Sequence, residues 1–206
     1  MNFIQSLGRH VLLALALICG VGQTLAEPLY RVTIDTTSLA GRSGYLDFLM
    51  LGLSSAEPAQ ASVQNFTGSF AVGNIATGDV AGSVNGTVTL GNRAPYNEFG
   101  QWAIFGGMFA FDISFSTGAG FGAGTHLGIA LLDADFGYLG MASDLVTFML
   151  QPGADTAFTS ESNFASVGLA PVSTVPEPSI VLQGATGLVL MGAAMCRRRK
   201  QQTLPR

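Results

Sequence analysis

The sequence predicts an all-β fold: a single antiparallel β-sandwich, jelly-roll-like, with a signal peptide before it and a transmembrane helix after it. Three observations predict the sandwich. Apolar and polar residues alternate with a period of two in several short runs, which is typical of strands with one buried face. Residues that favour turns, mainly glycine and asparagine, separate these runs. Between the two ends of the chain there is no sustained apolar stripe of helical period, and 206 residues suit one folded domain.

The first element, residues 1–26, has the layout of a secretory signal peptide. Arg9 and the amino terminus give a positive start, and Val11 to Val21 form an apolar core that is too short to span a membrane. Thr24-Leu25-Ala26 then offers small residues at the positions that signal peptidase reads. Cys19 loosely suggests a lipoprotein site instead, but an isoleucine fits poorly before a lipidated cysteine. We therefore expect export across the inner membrane and cleavage after Ala26.

Residues 27–169 are expected to form the sandwich. Leu46 to Leu53 is apolar on both faces and predicts a central strand, whereas Asn163 to Leu169 predicts the last strand. The apolar members of the alternating runs are Tyr30, Val32 and Ile34; Phe66, Phe70 and Val72; Val84, Val88 and Leu90; Phe109, Phe111, Ile113 and Phe115; and Val146, Phe148 and Leu150. Turns are predicted at Gly41 to Gly44, Gly73-Asn74, Gly78-Asp79, Asn85-Gly86, Gly91-Asn92 and Gly118 to Gly124.

The charge and cysteine content of this domain exclude several classes of function. Residues 27–175 carry twelve acidic and three basic side chains, a net charge of −9, so they do not suit nucleic acid, whose phosphates require clustered lysine and arginine. Both cysteines, Cys19 and Cys196, lie in the terminal apolar segments. The domain is therefore expected to hold neither a disulfide nor a cysteine-ligated metal.

Three further elements follow the sandwich. Residues 170–178 predict an exposed, proline-rich linker. Residues 179–196 predict a transmembrane helix. Ile180 to Met195 is uncharged and would extend about 24 Å as a helix, which is short of the hydrocarbon core of about 30 Å unless Ser179 and Cys196 join it or the basic side chains reach back to the interface. Residues 197–206 predict a basic cytoplasmic tail. Its basic cluster is expected to stop transfer of the chain across the membrane and comprises Arg197, Arg198, Arg199 and Lys200.

Val175-Pro176-Glu177-Pro178, the apolar segment and the basic cluster together resemble the PEP-CTERM sorting signal. The resemblance implies a Gram-negative host in which an exosortase, a membrane-embedded cysteine peptidase, recognises Pro176, Glu177 and Pro178 and cuts the tail. It also implies a transient membrane anchor, followed by transfer to the cell surface or medium, often with exopolysaccharide. Each proline disfavours helix at the residue before it, so the motif would stay extended and accessible. The alternative is an ordinary membrane anchor with a proline-rich stalk.

The stretch TIDTTSLAGRSGYLDF, Thr33 to Phe48, also resembles the opening of a group of short PEP-CTERM proteins. The group's later features, GDVAGSVNGTVTL, FAFDISFS and GIALLDAD, are present as well, so the resemblance covers most of the chain. It implies no particular activity for the domain.

Two sets of polar residues in the domain are candidates for chemistry. Asp133 and Asp135, with Asp144 nearby, follow an apolar run and could hold calcium through carboxylate oxygens, although the spacing is not that of an EF-hand. Solvated aspartates in a turn are the alternative. His126 is the one histidine of the domain, so a typical zinc site is not expected, and a structural or surface role is favoured.

Aromatic residues between Ala94 and Trp102, in the stretch APYNEFGQW, suggest a carbohydrate-binding loop. Tyr96 and Trp102, with Phe99 and Tyr45, could present flat rings to sugars, beside polar Asn97, Glu98 and Gln101. The alternative is that the rings fill the edge of the core. Glu98 as a lone carboxylate does not make a glycosidase, and Asp112 could be its partner only by accident of the fold.

The sequence thus favours an exported, non-enzymatic surface or matrix protein, associated with exopolysaccharide and cut by an exosortase. No catalytic residues are assigned. A carbohydrate-binding module that uses the Tyr96–Trp102 segment is the alternative, and a secreted hydrolase built on His126, Asp133 and Asp135 is a remote one. No cofactor is expected, apart from the possibility of calcium.

Overall fold

The computed structural model describes residues 27–161 and 163–170, which form two antiparallel β-sheets packed together. The predicted all-β sandwich is confirmed at this level. A short 3-10 helix at Thr37–Leu39 follows the first strand. The strands are β1 (Tyr30–Asp35), β2 (Ser43–Leu51), β3 (Ala59–Thr67), β4 (Phe70–Thr77), β5 (Val80–Gly82), β6 (Val88–Gly91), β7 (Tyr96–Ile104), β8 (Met108–Thr117), β9 (Thr125–Leu132), β10 (Val146–Leu150), β11 (Ala157–Ser160) and β12 (Ala165–Leu169).

The strand order shows how the chain crosses between the sheets. The first sheet has the order β12-β1-β8-β3-β6-β5, and the second has the order β11-β10-β9-β2-β7-β4. Three of the pairings are nested, because β1 pairs with β8, β2 with β7, and β3 with β6. The first eight strands therefore follow a long hairpin that is folded over, and β9 to β12 extend the outer edges of the two sheets.

The core lies between the inner faces of the sheets, where the alternating apolar residues meet. Phe48 of β2 and Phe111 of β8 come from opposite sheets and pack edge to face, with ring centroids 5.1 Å apart. Such aromatic pairs favour edge-to-face geometry and bury large apolar areas. The largest fully buried side chains are Phe48, Phe99, Phe109, Phe111, Phe148, Ile34, Leu46, Met50, Leu90, Ile113, Leu127 and Ile129.

Several predicted strands are confirmed. The alternating runs at 30–34, 109–115 and 146–150 form β1, β8 and β10, with their apolar members buried. The segment that is apolar on both faces forms β2, and it is central, between β7 and β9. Its end differs slightly, because β2 stops at Leu51 rather than Leu53.

The alternating run from Phe66 to Val72 is not a single strand. β3 ends at Thr67 and β4 begins at Phe70, with Gly68 (φ 145°) between them. A side chain at Gly68 would overlap the Phe109 ring, so the close turn requires glycine. Phe66 and Phe70 pack against the core, whereas Val72 is fully exposed.

The predicted loop from Ala94 to Trp102 is also wrong, because Tyr96–Ile104 forms β7, paired on both sides. Two polar side chains are buried in this strand because they donate hydrogen bonds to backbone carbonyl groups. Asn97 donates to the carbonyl oxygens of Met50 (2.9 Å) and Ala94 (2.8 Å). Gln101 donates to the carbonyl oxygens of Ala71 (2.7 Å) and Gly73 (3.0 Å), where the register of β4 shifts and ladder bonds are lost.

The carboxyl end of the domain is slightly longer than predicted. β12 begins at Ala165, and Ala170 is buried and donates its N–H to the carbonyl oxygen of Leu29 (2.7 Å). Ala170 therefore belongs to the sandwich rather than to an exposed linker. The rest of the predicted linker with Pro176, Glu177 and Pro178, the predicted transmembrane helix, the basic tail and the signal peptide lie outside the described residues. Within residues 27–161 and 163–170, no helix is long and apolar enough to cross a membrane.

Candidate functional site

The outer face of the second sheet brings three carboxylates together: Asp47 of β2, Glu98 of β7, and Asp144, which precedes β10. We call them the acidic cluster. Asp47 lies opposite Gly100 of β7 and Ala130 of β9. Both neighbours have little or no side chain beside Asp47.

Asp47 is held under this surface, with only 5% of its area exposed. Its Oδ1 atom would lie 3.3 Å from a Cβ placed on Gly100, and Ile75 of β4 covers the same glycine, with its Cγ1 atom 2.7 Å from that position. Among the described residues, Oδ1 of Asp47 is buried and has no hydrogen-bond partner. A buried carboxylate oxygen without a donor is rare in folded proteins and requires an explanation.

The electrostatics of the acidic cluster follow from burial and from like charge. Burial and then the nearby Glu98 and Asp144 carboxylates raise the pKa of Asp47 to about 7, and a hydrogen bond from the Phe48 backbone opposes them. In the part of the chain that the structure describes, the ion pairs are Arg31–Asp112 and Arg93–Asp79, so neither includes the cluster. Two half-buried carboxylates thus lie near one buried carboxyl group, and none of the three is in an ion pair with a basic side chain of the described residues.

Five aromatic side chains surround the cluster on the same side of the sheet. Tyr45 meets Trp102 edge to face, with centroids 4.8 Å apart, and stacks on Phe136, with centroids 5.4 Å apart and planes 3° from parallel. Tyr138 donates its hydroxyl hydrogen to Asp144 (3.2 Å). Burial, followed by the adjacent Glu98 carboxylate, raises the pKa of Tyr96 to about 12. We call Tyr45, Tyr96, Trp102, Phe136 and Tyr138 the aromatic rim.

The turn after β9 sets the position of one ring of the rim. Phe136 has a φ of 61°, a left-handed conformation that costs a residue with a side chain about 1–2 kcal/mol. Asp133 holds the turn, because its Oδ1 accepts the N–H groups of Asp135 (3.0 Å) and Gly137 (2.8 Å). Phe136 is nevertheless half exposed, so its strained backbone presents a ring to the surface instead of to the core.

These contacts give Asp133 a role in closing the turn, while the Asp135 side chain is exposed and Asp144 contacts Tyr138. Calcium binding by Asp133 and Asp135 stays a prediction. No group of three or more His, Cys, Asp or Glu side chains within the described ranges is close enough to hold one metal ion.

The remaining predicted site residues are distributed as follows. Phe99 is buried in the core. His126 is exposed at the start of β9, and Asp133 follows the end of that strand, roughly 20 Å away at the rise of an extended chain. Asp112 lies on the first sheet, where Arg31 and Asn65 bind it and where the Arg31 hydrogen bond lowers its pKa. Asp112 is therefore not the partner of Glu98, whose neighbours are Asp47 and Asp144.

Two surface depressions of the domain are lined by residues other than those of the acidic cluster. One, of about 250 Å³, is lined by Asn92 and the Asp79–Arg93 pair, whose closest atoms are 3.8 Å apart. Another, of about 530 Å³, lies beside Ile104 and Met108. Both are shallow, and neither combines buried charge with aromatic rings, so we take the outer face of the second sheet as the candidate site.

Comparison of the chain with known protein families, with characterised proteins and with solved structures found no match. The site therefore has to be interpreted from its own chemistry. Asp47 was missed at the sequence level, although a signal was present, since a charged residue interrupts the apolar segment Leu46 to Leu53.

Proposed function

We propose that this chain is an exported, non-enzymatic surface protein whose sandwich binds polysaccharide through the aromatic rim on the outer face of its second sheet. The observation that carries the proposal is that Tyr96, Glu98 and Trp102 lie on the same outer face of β7, beside Tyr45 and Phe136. Exposed aromatic rings next to polar groups suit sugars, whose C–H faces stack on rings while their hydroxyls form hydrogen bonds.

The size of the surface agrees with a chain-like ligand. Tyr96 and Trp102 are six positions apart on one strand, which corresponds to about 20 Å, so the rim has room for more than one sugar ring. Tyr96, Phe136 and Tyr138 are between 44% and 52% exposed and leave their rings accessible. The open, shallow form of the surface favours a polymer lying across it over a small molecule enclosed in a pocket.

The nested strand pairings support the finer proposal that the sandwich is a jelly roll, the architecture of many lectin domains. A secreted hydrolase built on His126, Asp133 and Asp135 gains no support, because these residues lie at opposite ends of β9.

The binding proposal predicts that Trp102→Ala weakens binding of the protein to exopolysaccharide by on the order of tenfold or more, because loss of one stacked ring removes a large contact area. Binding is measured by affinity electrophoresis with polysaccharide from the producing bacterium. Phe121→Ala is the control, since Phe121 is a fully exposed ring in the loop before β9 and is not one of the five rim residues. Equal binding by the wild type and the Trp102 variant, at unchanged melting temperature, would contradict the proposal.

The sorting part of the proposal rests on the motif Pro176-Glu177-Pro178, the apolar segment and the basic cluster. Deleting Pro176 to Pro178 is expected to leave the tail uncut and the protein in the membrane fraction of an exosortase-bearing Gram-negative host. Intact-mass measurement of the membrane and secreted fractions detects this. Deleting Pro171 to Ser173 is the control, because it shortens the predicted linker equally and leaves the motif intact. Normal processing of the first variant would remove the exosortase as a partner.

A further inference from the structure

The acidic cluster contains more negative charge than the protein balances with its own groups. The three arginines of the described residues are Arg31, Arg42 and Arg93, and the ion pairs that form involve Arg31 with Asp112 and Arg93 with Asp79. Glu98 and Asp144 each lie near Asp47 instead, although like charges near a buried carboxyl group oppose its ionisation and destabilise the fold. Charge arranged in this way is typical of a site that a ligand neutralises.

A second, independent observation comes from the Asp47 side chain itself. It is 5% exposed, and its Oδ1 atom has no hydrogen-bond donor among the described residues. A buried carboxylate oxygen without a partner costs on the order of 1–3 kcal/mol or more. The oxygen lies beneath the centre of the cluster, between β2 and β7, where the adjoining Gly100 provides no side chain. The site therefore lacks a positively charged or hydrogen-bond-donating group.

We propose that the acidic cluster and the aromatic rim together recognise a polysaccharide that carries free ammonium groups, that is, a polymer containing unacetylated amino sugars. This inference rests on the proposed function and names the ligand class of the same surface. Separate ammonium groups contact the half-buried carboxylates of Glu98 and Asp144, and their positive charge favours ionisation of the buried Asp47 carboxyl group nearby. The sugar rings stack on Tyr45, Trp102 and Phe136, where the aromatic faces also attract the cation.

A divalent cation is the competing occupant, since oxygen ligands also suit calcium. The three carboxylates come from three different segments, and within the described ranges they do not converge closely enough to hold one metal ion. An amino-sugar polymer makes separate contacts with Glu98 and Asp144 and also explains the five aromatic side chains, which a metal ion leaves unused. We therefore commit to the organic cation and include calcium in the test.

Three tetrasaccharides with the same backbone linkage distinguish these possibilities: one of glucosamine, one of N-acetylglucosamine and one of glucose. Binding to the full chain is measured by isothermal titration calorimetry at about pH 6, where a sugar amine is largely charged. The glucosamine tetramer is expected to bind on the order of tenfold more tightly than the other two. Glu98→Gln and Asp144→Asn should abolish this preference by lowering the affinity for the glucosamine tetramer to that for the other two.

The controls separate this inference from the proposed function. Asp155→Asn removes an exposed carboxylate outside the cluster and should leave the preference intact, and melting temperatures verify that each variant folds. If all three tetramers bind equally and Trp102→Ala removes that binding, polysaccharide binding stands and the ammonium specificity is wrong. If none binds, or if calcium alone binds and Glu98→Gln removes it, the ammonium proposal is also overturned.

Discussion

Replacing Asp47 with asparagine is expected to raise the free energy of unfolding at pH 8 and to change it little at pH 4. Burial, with the Glu98 and Asp144 carboxylates, raises the pKa of Asp47 from 3.8 to about 7 in the folded protein. The unfolded chain releases this proton near pH 4, whereas the folded protein keeps it until about pH 7. The folded state therefore binds more protons within that window, and the wild type loses stability as the pH rises through it.

The size of the effect follows from the shift. One pKa unit corresponds to about 1.4 kcal/mol, so the shift from 3.8 to about 7 amounts to about 4 kcal/mol above pH 7 and to about 2–3 kcal/mol between pH 5 and pH 8. Asparagine has nearly the same shape and does not ionise, so the variant should lack this dependence. Urea unfolding at several pH values, followed by the fluorescence of the single tryptophan, Trp102, measures the difference between the two proteins.

Subtracting the wild-type curve from that of the variant isolates Asp47 together with its coupling to Glu98 and Asp144, because groups that do not interact with Asp47 titrate alike in both proteins. Asp35 and Asp112, for example, have lowered pKa values and contribute stability that is lost as the pH falls below their ordinary range. Asp155→Asn, at an exposed carboxylate outside the cluster, should give a flat difference. A flat difference for Asp47→Asn as well would mean that this carboxyl group titrates normally and that the cluster is not electrostatically coupled.

Local patterns predicted β1, β8 and β10, where inner-face residues are apolar and outer-face residues are polar, but the run from Val84 to Leu90 is a strand only from Val88. Alternation placed Phe109, Phe111 and Ile113 in the core, and the two-sided apolar segment placed β2 at the centre of its sheet. The patterns failed at β7, where Asn97 and Gln101 are buried because they satisfy backbone carbonyls of distant segments. These carbonyl groups come close to β7 only because strands far apart in sequence pair with one another. A local sequence pattern contains no information about that pairing.

In the candidate site, too, the residues that are close in sequence were predicted, and those brought together by the fold were not. Tyr96 and Trp102 were predicted together because their spacing is local, although they lie on a strand instead of a loop. The contacts of Asp47 with the outer face of β7, and of Tyr138 with Asp144, depend on register and on a turn, so the acidic cluster was not foreseen. Phe136 joins the rim because the Asp133 turn imposes a left-handed backbone on it, which its sequence neighbours do not indicate.

Phe48→Ala is expected to lower the free energy of unfolding by about 3–5 kcal/mol, the range for removing a buried phenylalanine ring. Phe48 is fully buried on β2 and contacts Phe66 and Phe111 of the opposite sheet, with centroids 6.1 Å and 5.1 Å apart. Removing the ring leaves a cavity between the sheets, and the rigid strands around it close only partly. Since whole domains are stable by about 5–15 kcal/mol, this variant should be close to unfolding.

The comparison that decides this prediction uses an aromatic residue with no role in the core. Phe121 is fully exposed, so Phe121→Ala removes the same atoms and should change the free energy of unfolding by less than about 0.5 kcal/mol. Phe48→Leu keeps most of the volume and should fall between the two. Denaturant unfolding followed by circular dichroism gives all three values. Similar losses for Phe48→Ala and Phe121→Ala would show that the two sheets do not meet at Phe48, and the sandwich described here would be wrong at its centre.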